Sequence, residues 1–532
     1  MNSVSKGVVG VSGQFLLGQL EASVSRAITE VAKGQDARGA WYVLPDARIF
    51  ETALVGLALS RAGGAEPEVA RAREVVASLP VQQHHPVPAA VETGLADLLL
   101  SSTTGPIDLS DPSFRTEVFS SRARLMQVVA LHQGRAALSP WTEAELREGV
   151  AAAWARCADS QQKQWSKVEL ASMHVLLQTR HGDAAAAREA AACLPALQSP
   201  NGSFCDNVVS TSMALFALSA ALPGSECWRR CRQHLLDARQ ADGSWRFCAS
   251  DVWDTTLMVR AWAGAPGFER ATQAAVRFLV RAQNDDGGWA FLSGLESDSD
   301  TTASALLALE GRADCSSSIE RALRYLAQRQ LEDGLWRTWH FKGDPPTPDV
   351  VAHIVAALER HPGRHAIRTA PAVRWLAGLF TGGGWQAGWY RGLPYAVLEI
   401  GRALPAASAV RRAATMALVE QQNADGGFGH QRGEASFAGP TGLALAAMLE
   451  ALPVDDPRVT KALRFLLANE QDGRWPGCPE MFGPRPMLSH FKTHTQAFVG
   501  FGLVAASRKL ASLGALLDLH PLAVQGRSSW AE

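Results

Sequence analysis

One short phrase returns six times along the C-terminal half of this chain. It reads RQADGSW to Trp245, AQNDDGGW to Trp289, RQLEDGLW to Trp336, GGGW to Trp385, QQNADGGF to Phe428 and EQDGRW to Trp475. Successive aromatic residues lie 44, 47, 49, 43 and 47 residues apart. A period of that length fits one helix–turn–helix unit, two helices of about four turns each with their connections. Ahead of the phrase runs an amphipathic segment free of proline, such as RATQAAVRFLVRAQ or RVTKALRFLLANEQ, and after it an Ala/Leu-rich one such as TTASALLALEGR. The glycines end the first helix and make the turn, because only glycine takes positive φ without strain. Six hairpins close a ring, so the spacing predicts an all-α fold built on an α/α toroid, with inner helices around a central cavity.

The first half carries weaker copies, KGQDARGAW (Gln35 to Trp41) and LQSPNGSF (Gln198 to Phe204), amid Ala-rich helical sequence. They predict a second, more diverged α/α barrel, with ALPGSECW near residue 222 as the boundary. A length of 532 residues agrees, since it exceeds what one hydrophobic core usually supports. With 47% apolar residues, 19% charged and a formal net charge of -1, the chain reads as compact and carries no basic stripe for nucleic acid. No apolar run reaches the ~20 residues that span a bilayer. The N-terminus is read as mature protein, interrupted by Glu21 and Arg26 before any cleavage site. The eight cysteines show no CxxC pair, and free thiols in a reducing cytosol are expected. SSTTGPIDLSDPS (101–113) and FKGDPPTPD (341–349) read as loops.

The repeated phrase resembles the QW motifs of the squalene-hopene cyclase and class II diterpene cyclase superfamily. Four segments sharpen the likeness, in the family's order. FCASDVWDTTLMVRAW is similar to its VWDT helix. DDGGWAFLSGLESDSDTTASALLAL is similar to its GGWAF segment and catalytic DxDD motif. GDPPTPDVVAHIVAAL is similar to the segment that brings a histidine to the acid. GGGWQAGWYRGLPYAVLEI resembles the one contributing cavity aromatics. The resemblance implies a βγ class II terpene cyclase: residues 1–30 a helix joining the β domain, 31–225 an inserted γ barrel, and 226–532 the β barrel. It further implies protonation of an alkene in a linear isoprenoid diphosphate, ring closure, and retention of the diphosphate. Where most relatives have DxDD this chain has Asp298-Ser299-Asp300-Thr301-Thr302. That DxDTT variant resembles bacterial drimenyl diphosphate synthases, so the expected substrate is farnesyl diphosphate and the expected product a bicyclic drimane-type diphosphate. Geranylgeranyl diphosphate, giving a labdane- or halimane-type diphosphate, is the alternative.

Protonating an unactivated alkene needs a carboxylic acid held dry and in line. By family position Asp300 is the donor, and Asp298 raises its neighbour's proton affinity if both are buried. Thr301 and Thr302 are candidate hydrogen-bond partners in place of the missing acid, and His353 is the expected partner of Asp300. The competing reading of SDSDTT is a helix cap, a role for which Ser, Asp and Thr are favoured. Carbocations need electron-rich walls without nucleophiles. Trp253, Trp389 and Tyr395 fall at positions resembling the family's cavity aromatics, with Asp254 behind Trp253, whereas Trp289, Trp336 and Trp475 are expected to pack at the turns.

The diphosphate calls for cations and Mg²⁺, a hard ion suited to oxygen ligands. Glu51 in FETALVGLAL resembles an acidic segment of class II diterpene cyclases and is the metal candidate; Lys342, Arg391 and Lys492 are the phosphate candidates. No DDxxD motif sits on an Ala/Leu helix, so ionisation of the diphosphate is not expected. Two other readings remain open. A protein prenyltransferase β-subunit shares the barrel but needs an Asp/Cys/His zinc site, and Cys478 has no matching partner motif. A non-catalytic helical toroid would bind a partner without needing the acid, histidine and aromatics.

Overall fold

The computed structural model describes residues 4–101, 104–157, 162–339, 343–362 and 367–518. Helix α1 (Val4–Lys33) is followed by α2 (Ile49–Ala62), α3 (Glu66–Ser78), α4 (Pro86–Leu100), α5 (Glu117–His132), α6 (Glu143–Cys157), α7 (Gln164–Arg180), α8 (Ala184–Ala191), α9 (Leu194–Leu197), α10 (Val208–Ala221) and α11 (Glu226–Asp237). Among these, α2, α4, α5, α7 and α10 touch in a closed ring, with α3, α6, α8 and α11 packed outside it.

A second ring is larger. Its inner helices are α12 (Asp251–Trp262), α14 (Ser299–Ala308), α16 (Pro348–Leu358), α18 (Leu393–Arg402), α20 (Ala438–Leu449) and α22 (Lys492–Asp518), each against the next and α22 against α12. Outside them lie α13 (Glu269–Arg281), α15 (Ser316–Arg329), α17 (Ala370–Gly378), α19 (Ala409–Val419) and α21 (Pro457–Ala468), and α1 fills the sixth outer place against α21 and α22. Two-residue strands β1 (Ile107–Asp108) and β2 (Ala137–Leu138) pair in parallel, and β3 (Met481–Phe482) pairs antiparallel with β4 (Leu488–Ser489). No helix among the described residues is long and apolar enough to cross a membrane.

The repeated phrase is the fastener of both rings. Each tryptophan is buried and donates its indole N–H to a carbonyl in the outer helix just before it: Trp289 to Leu279, Trp336 to Leu326, Trp385 to Leu376 and Trp475 to Leu466, all at 2.7–2.9 Å. That satisfies a carbonyl at a helix end which has no partner within the helix. The phrase glutamine reaches the other way. Gln283 donates to Gly287 O and to Ser318 O in the next outer helix, and Gln422 to Gly426 O and Arg458 O. Gly287 and Gly426 both have φ of 88°, and a Cβ there would meet the next outer helix's backbone at 2.7 and 2.8 Å, so no other residue fits.

The aromatic's own N–H bonds a threonine on the inner helix of its unit: Trp289 to Thr302, and Phe428 to Thr441. This bond also shows where the chain crosses between rings. Trp41 bonds Thr255 on α12, and Trp245 bonds Thr52 on α2. The unit made of α1, the Trp41 phrase and α12 is therefore split by residues 49–245, which form their own ring and core. Two expectations change. Trp41 belongs to the larger barrel and Trp245 to the smaller, the reverse of the sequence reading, and α11 packs with the first core, so the break lies beyond residue 225. Ion pairs from α1, Arg26 to Glu470 and Arg474 to Glu30, close the larger ring.

Candidate active site

A cavity of about 890 Å³ opens between the two barrels, walled by Asp300, Trp253 and Tyr390 from the larger one and by Arg122, Arg124 and Arg156 from the smaller. Helix α14 begins at the acidic motif, which caps the helix and also sets an acid on the cavity wall. Asp298 is the N-cap: its carboxylate accepts from Thr301 N at 2.7 Å and from Thr301 Oγ1 at 2.9 Å. Thr302 Oγ1 serves the turn, donating to Asp298 O and accepting from Trp289 N. With Asp298 and both threonines so engaged, Asp300 is left in the helix's first turn, 6% exposed and on the cavity wall.

Asp300 accepts a hydrogen bond of 2.7 Å from His353 Nδ1, carried by α16. The other imidazole nitrogen lies 3.2 Å from Glu399 Oε2 on α18, and Glu399 in turn accepts from Arg260 on α12 at 2.7 Å. All four side chains are nearly water-free, so the charges act at short range and low dielectric. Burial alone would lower the His353 pKa, but Asp300 and Glu399 outweigh it and raise it to about 9, so the ring is an imidazolium at neutral pH. Burial would raise Glu399; Arg260 and His353 reverse that and hold its carboxyl far below the usual range. Burial raises Asp298 to about 7 against the pull of Lys163. Glu399 was not singled out from the sequence. Its signal was a carboxylate on an otherwise apolar helix face, in LPYAVLEIGR.

The aromatic wall differs from the expected set, with Tyr390 on it and Tyr395 behind it. Trp253 donates its indole N–H to Tyr390 Oη at 2.7 Å, Tyr390 Oη lies 3.2 Å from His494 Nδ1, and His494 Nε2 lies 2.9 Å from Asp254. Asp254 also accepts from Ser250 and Thr493. Asp254 thus holds the tyrosine hydroxyl through His494 rather than contacting the acid, and the phenol oxygen is engaged in that network. Tyr395 stacks on Tyr390 from behind, ring centres 4.4 Å apart. Trp389 is on the wall, but one of its faces is already covered by the Arg485 guanidinium, 3.6 Å from the ring centre. Trp165, Phe291 and Trp339 complete the wall in edge contacts; Phe291 ends the GGWAF segment, whereas Trp165 and Trp339 carried no repeat or motif signal.

The cationic end also departs from expectation. Lys492 is 74% exposed and 3.9 Å from Asp46, and Arg391 pairs with Glu434; neither lines the cavity. Lys342 lies outside the described residues. The cations on the wall are instead Arg122, Arg124, Arg156 and Arg485. Arg122 is paired with Glu169 at 2.8 Å. Burial and then the nearby Arg156 lower the Arg124 pKa, a sign of positive charge gathered with too little to balance it. Arg485 is half-buried, and its Nε and Nη2 are buried atoms with no hydrogen-bond partner among the described residues.

Glu51 does not fit the metal role expected of it. Both its oxygens are taken by Arg48, whose guanidinium also donates to Gly483 O and Leu488 O at 2.9 Å. The pair pins the β3–β4 loop, which carries Arg485, to the smaller barrel, and Glu51 itself is off the cavity wall.

Comparison with known proteins agrees with this geometry. The squalene-hopene cyclase C-terminal domain matches residues 203–344, and the prenyltransferase alpha-alpha toroid domain matches residues 394–525. A drimenyl diphosphate synthase of Streptantibioticus cattleyicolor is 29% identical over 51% of this chain and 46% of its own length. A second, from Streptomyces showdoensis, is 27% identical over 65% of this chain and 68% of its own. A squalene-hopene cyclase of Bradyrhizobium diazoefficiens is 26% identical over 43% and 44%. The chain thus spans about half the length of two of these relatives. In fold it is similar to ent-copalyl diphosphate synthase from Streptomyces platensis, with a TM-score of 0.56 and 16% identity over 93% of this chain and 99% of that one. Paired toroids, an acid-histidine couple in the cavity between them and these two domain matches place the chain in the class II terpene cyclase superfamily.

Proposed function

We propose that this protein cyclises farnesyl diphosphate to a bicyclic drimane-type diphosphate, with Asp300 as the proton donor. The observation that carries the reading is the buried hydrogen bond between Asp300 and the His353 imidazolium on the wall of an aromatic cavity. His353 N–H occupies Oδ1, which leaves the acid proton on Oδ2. Glu399 keeps a negative charge beside the imidazolium while Asp300 carries its proton, and the cation at 2.7 Å stabilises the carboxylate that forms when that proton leaves. The Oδ2–H bond breaks as a C–H bond forms at the distal alkene. Internal alkenes then close two rings on the cation, and loss of a proton ends the reaction. Trp253 and Tyr390 present ring faces to the developing cation, and the hydroxyl of Tyr390 is held by Trp253 and His494.

The diphosphate is placed against Arg124 and Arg156, with Arg485 as a further donor, because these cations on the wall lack an ion-pair partner among the described residues. Mg²⁺ would bind the diphosphate oxygens and neutralise their charge beside the same arginines. The two relatives named drimenyl diphosphate synthase and the DxDTT motif support the fifteen-carbon substrate.

The test is incubation with farnesyl and with geranylgeranyl diphosphate plus Mg²⁺, followed by phosphatase treatment and mass spectrometry of the alcohols. A bicyclic alcohol from the C15 substrate is expected; cyclisation of the C20 substrate alone would overturn the assignment. Arg124→Ala and Arg156→Ala should each raise KM about tenfold or more with a smaller change in kcat, since a charge-assisted hydrogen bond is worth ~1.5–3 kcal/mol. Unchanged KM in both would move the diphosphate elsewhere.

A further inference from the structure

Behind the aromatic wall, away from the large cavity, three potential metal ligands converge. His430 follows the Phe428 phrase, and Cys478 and Glu480 lie between α21 and β3. His430 Nε2 is 3.8 Å from Cys478 Sγ and 3.9 Å from Glu480 Oε1, and the sulfur is 3.7 Å from the same oxygen. All three side chains are buried, at 2, 8 and 4% exposure. Two ligand atoms held at about 2.0–2.3 Å from a tetrahedral zinc ion stand roughly 3.3–3.7 Å apart, so a small contraction of this triangle would close it around the ion. The sequence reading saw no partner for Cys478, because its partners come from 48 residues earlier and from the next turn of the same loop.

Two further observations point to a ligand. Glu480 Oε2 is buried without any hydrogen-bond partner among the described residues, a costly state for a carboxylate in a dry site. On the far side of the imidazole, His430 Nδ1 is also buried without a hydrogen-bond partner among the described residues, and Glu434 Oε2 stands 3.5 Å from it, where a small shift would let the carboxylate orient a metal-bound histidine. The nearest cation, Arg391, is engaged by Glu434 at 2.7 Å. We propose that His430 Nε2, Cys478 Sγ and Glu480 form a structural zinc site that ties the cavity-lining β3–β4 loop to the larger barrel.

The thiolate, imidazole and carboxylate together are a borderline-soft donor set that suits zinc over magnesium or calcium. On binding, the Cys478 thiol proton and the Glu480 carboxyl proton leave to solvent, and the two anions cancel the charge of the ion. No net charge is then added behind Tyr390 and Tyr395, which share a small pocket with His430 and Glu480. Glu480 Oε2 is at hand as the fourth ligand. None of the three residues lines the large cavity, so the ion would have no open face toward a substrate there.

The full-length protein, purified without metal affinity resin, is expected to contain about one zinc ion per chain by elemental analysis. After dialysis against a chelator, Co²⁺ alone should restore a visible spectrum with a thiolate-to-cobalt charge-transfer band. Cys478→Ser should lose that band, while Cys193→Ser, in the smaller barrel, should keep it. Gly439→Ala is a second probe, because its Cβ would come within 2.2 Å of Glu480 Oε1 and push the carboxylate aside; zinc content should fall. Chelation should lower Tm by about 5 °C or more. Zinc-free protein with no Co²⁺ band in the wild type would overturn the site, and so would full zinc content in Cys478→Ser. Activity is not a readout here, so failure of this site and failure of the cyclase reading are distinguishable.

Discussion

Asp300→Asn should reduce cyclisation by at least about a thousandfold while leaving the fold intact. An amide offers no proton acidic enough for an alkene, and general acid catalysis alone accounts for 10²–10⁴-fold in typical enzymes, a range that an unactivated alkene should exceed. The fold should survive because the asparagine carbonyl oxygen can still accept from His353 Nδ1, so the buried imidazole keeps its partner. The capping of α14 also survives, since Asp298 and not Asp300 supplies it. Product is quantified by mass spectrometry after phosphatase treatment, and the fold is checked by circular dichroism and Tm. Wild-type turnover in a folded Asp300→Asn protein would show that the proton comes from elsewhere.

Glu399→Gln should cut kcat about ten- to a hundredfold at neutral pH and move the alkaline limb of the pH profile downward. In the wild type the His353 pKa is raised to about 9, so the imidazolium persists through neutrality and is lost as pH rises through that value. The linkage has the same sign: a raised histidine stabilises the fold fully below its unfolded pKa of about 6.5 and ceases to do so as pH climbs through about 9. Removing the carboxylate 3.2 Å from His353 Nε2 takes away one of the two anions that offset burial. An opposite charge at such range shifts a pKa by about 1–3 units, so the limb should fall by at least about one. The substitution also removes the charge from the buried Arg260–Glu399 pair, leaving at most a neutral amide oxygen to accept from the guanidinium, and breaking a buried ion pair costs about 3–5 kcal/mol. A lower Tm is therefore expected as well. The pH limb is the discriminating measurement, because a merely structural glutamate would lower Tm and leave the limb in place.

Much of this was legible in the chain itself. The mid-forties period alone predicts the toroid, because a Gln, a Gly and a Trp at fixed offsets form local contacts to the neighbouring hairpins whatever the rest of the chain does. Asp300 and His353 were legible for a similar reason: each lies within a short marked segment, Asp300 in the first turn of α14 and His353 midway along α16.

What the tertiary structure alone decided depends on distance along the chain. The sequence pattern cannot say that Trp41 finds Thr255, 214 residues away, and that Trp245 finds Thr52, because every unit has the same local signature. It also could not pick Arg124 and Arg156 out of the chain's 51 lysines and arginines, nor Glu399 out of its 52 acids. A charged residue on a helix reads as solvent-facing until the opposite wall is known. Only when two separately coded barrels are docked do those side chains enclose one cavity, where desolvation and proximity give them chemistry that no local motif records.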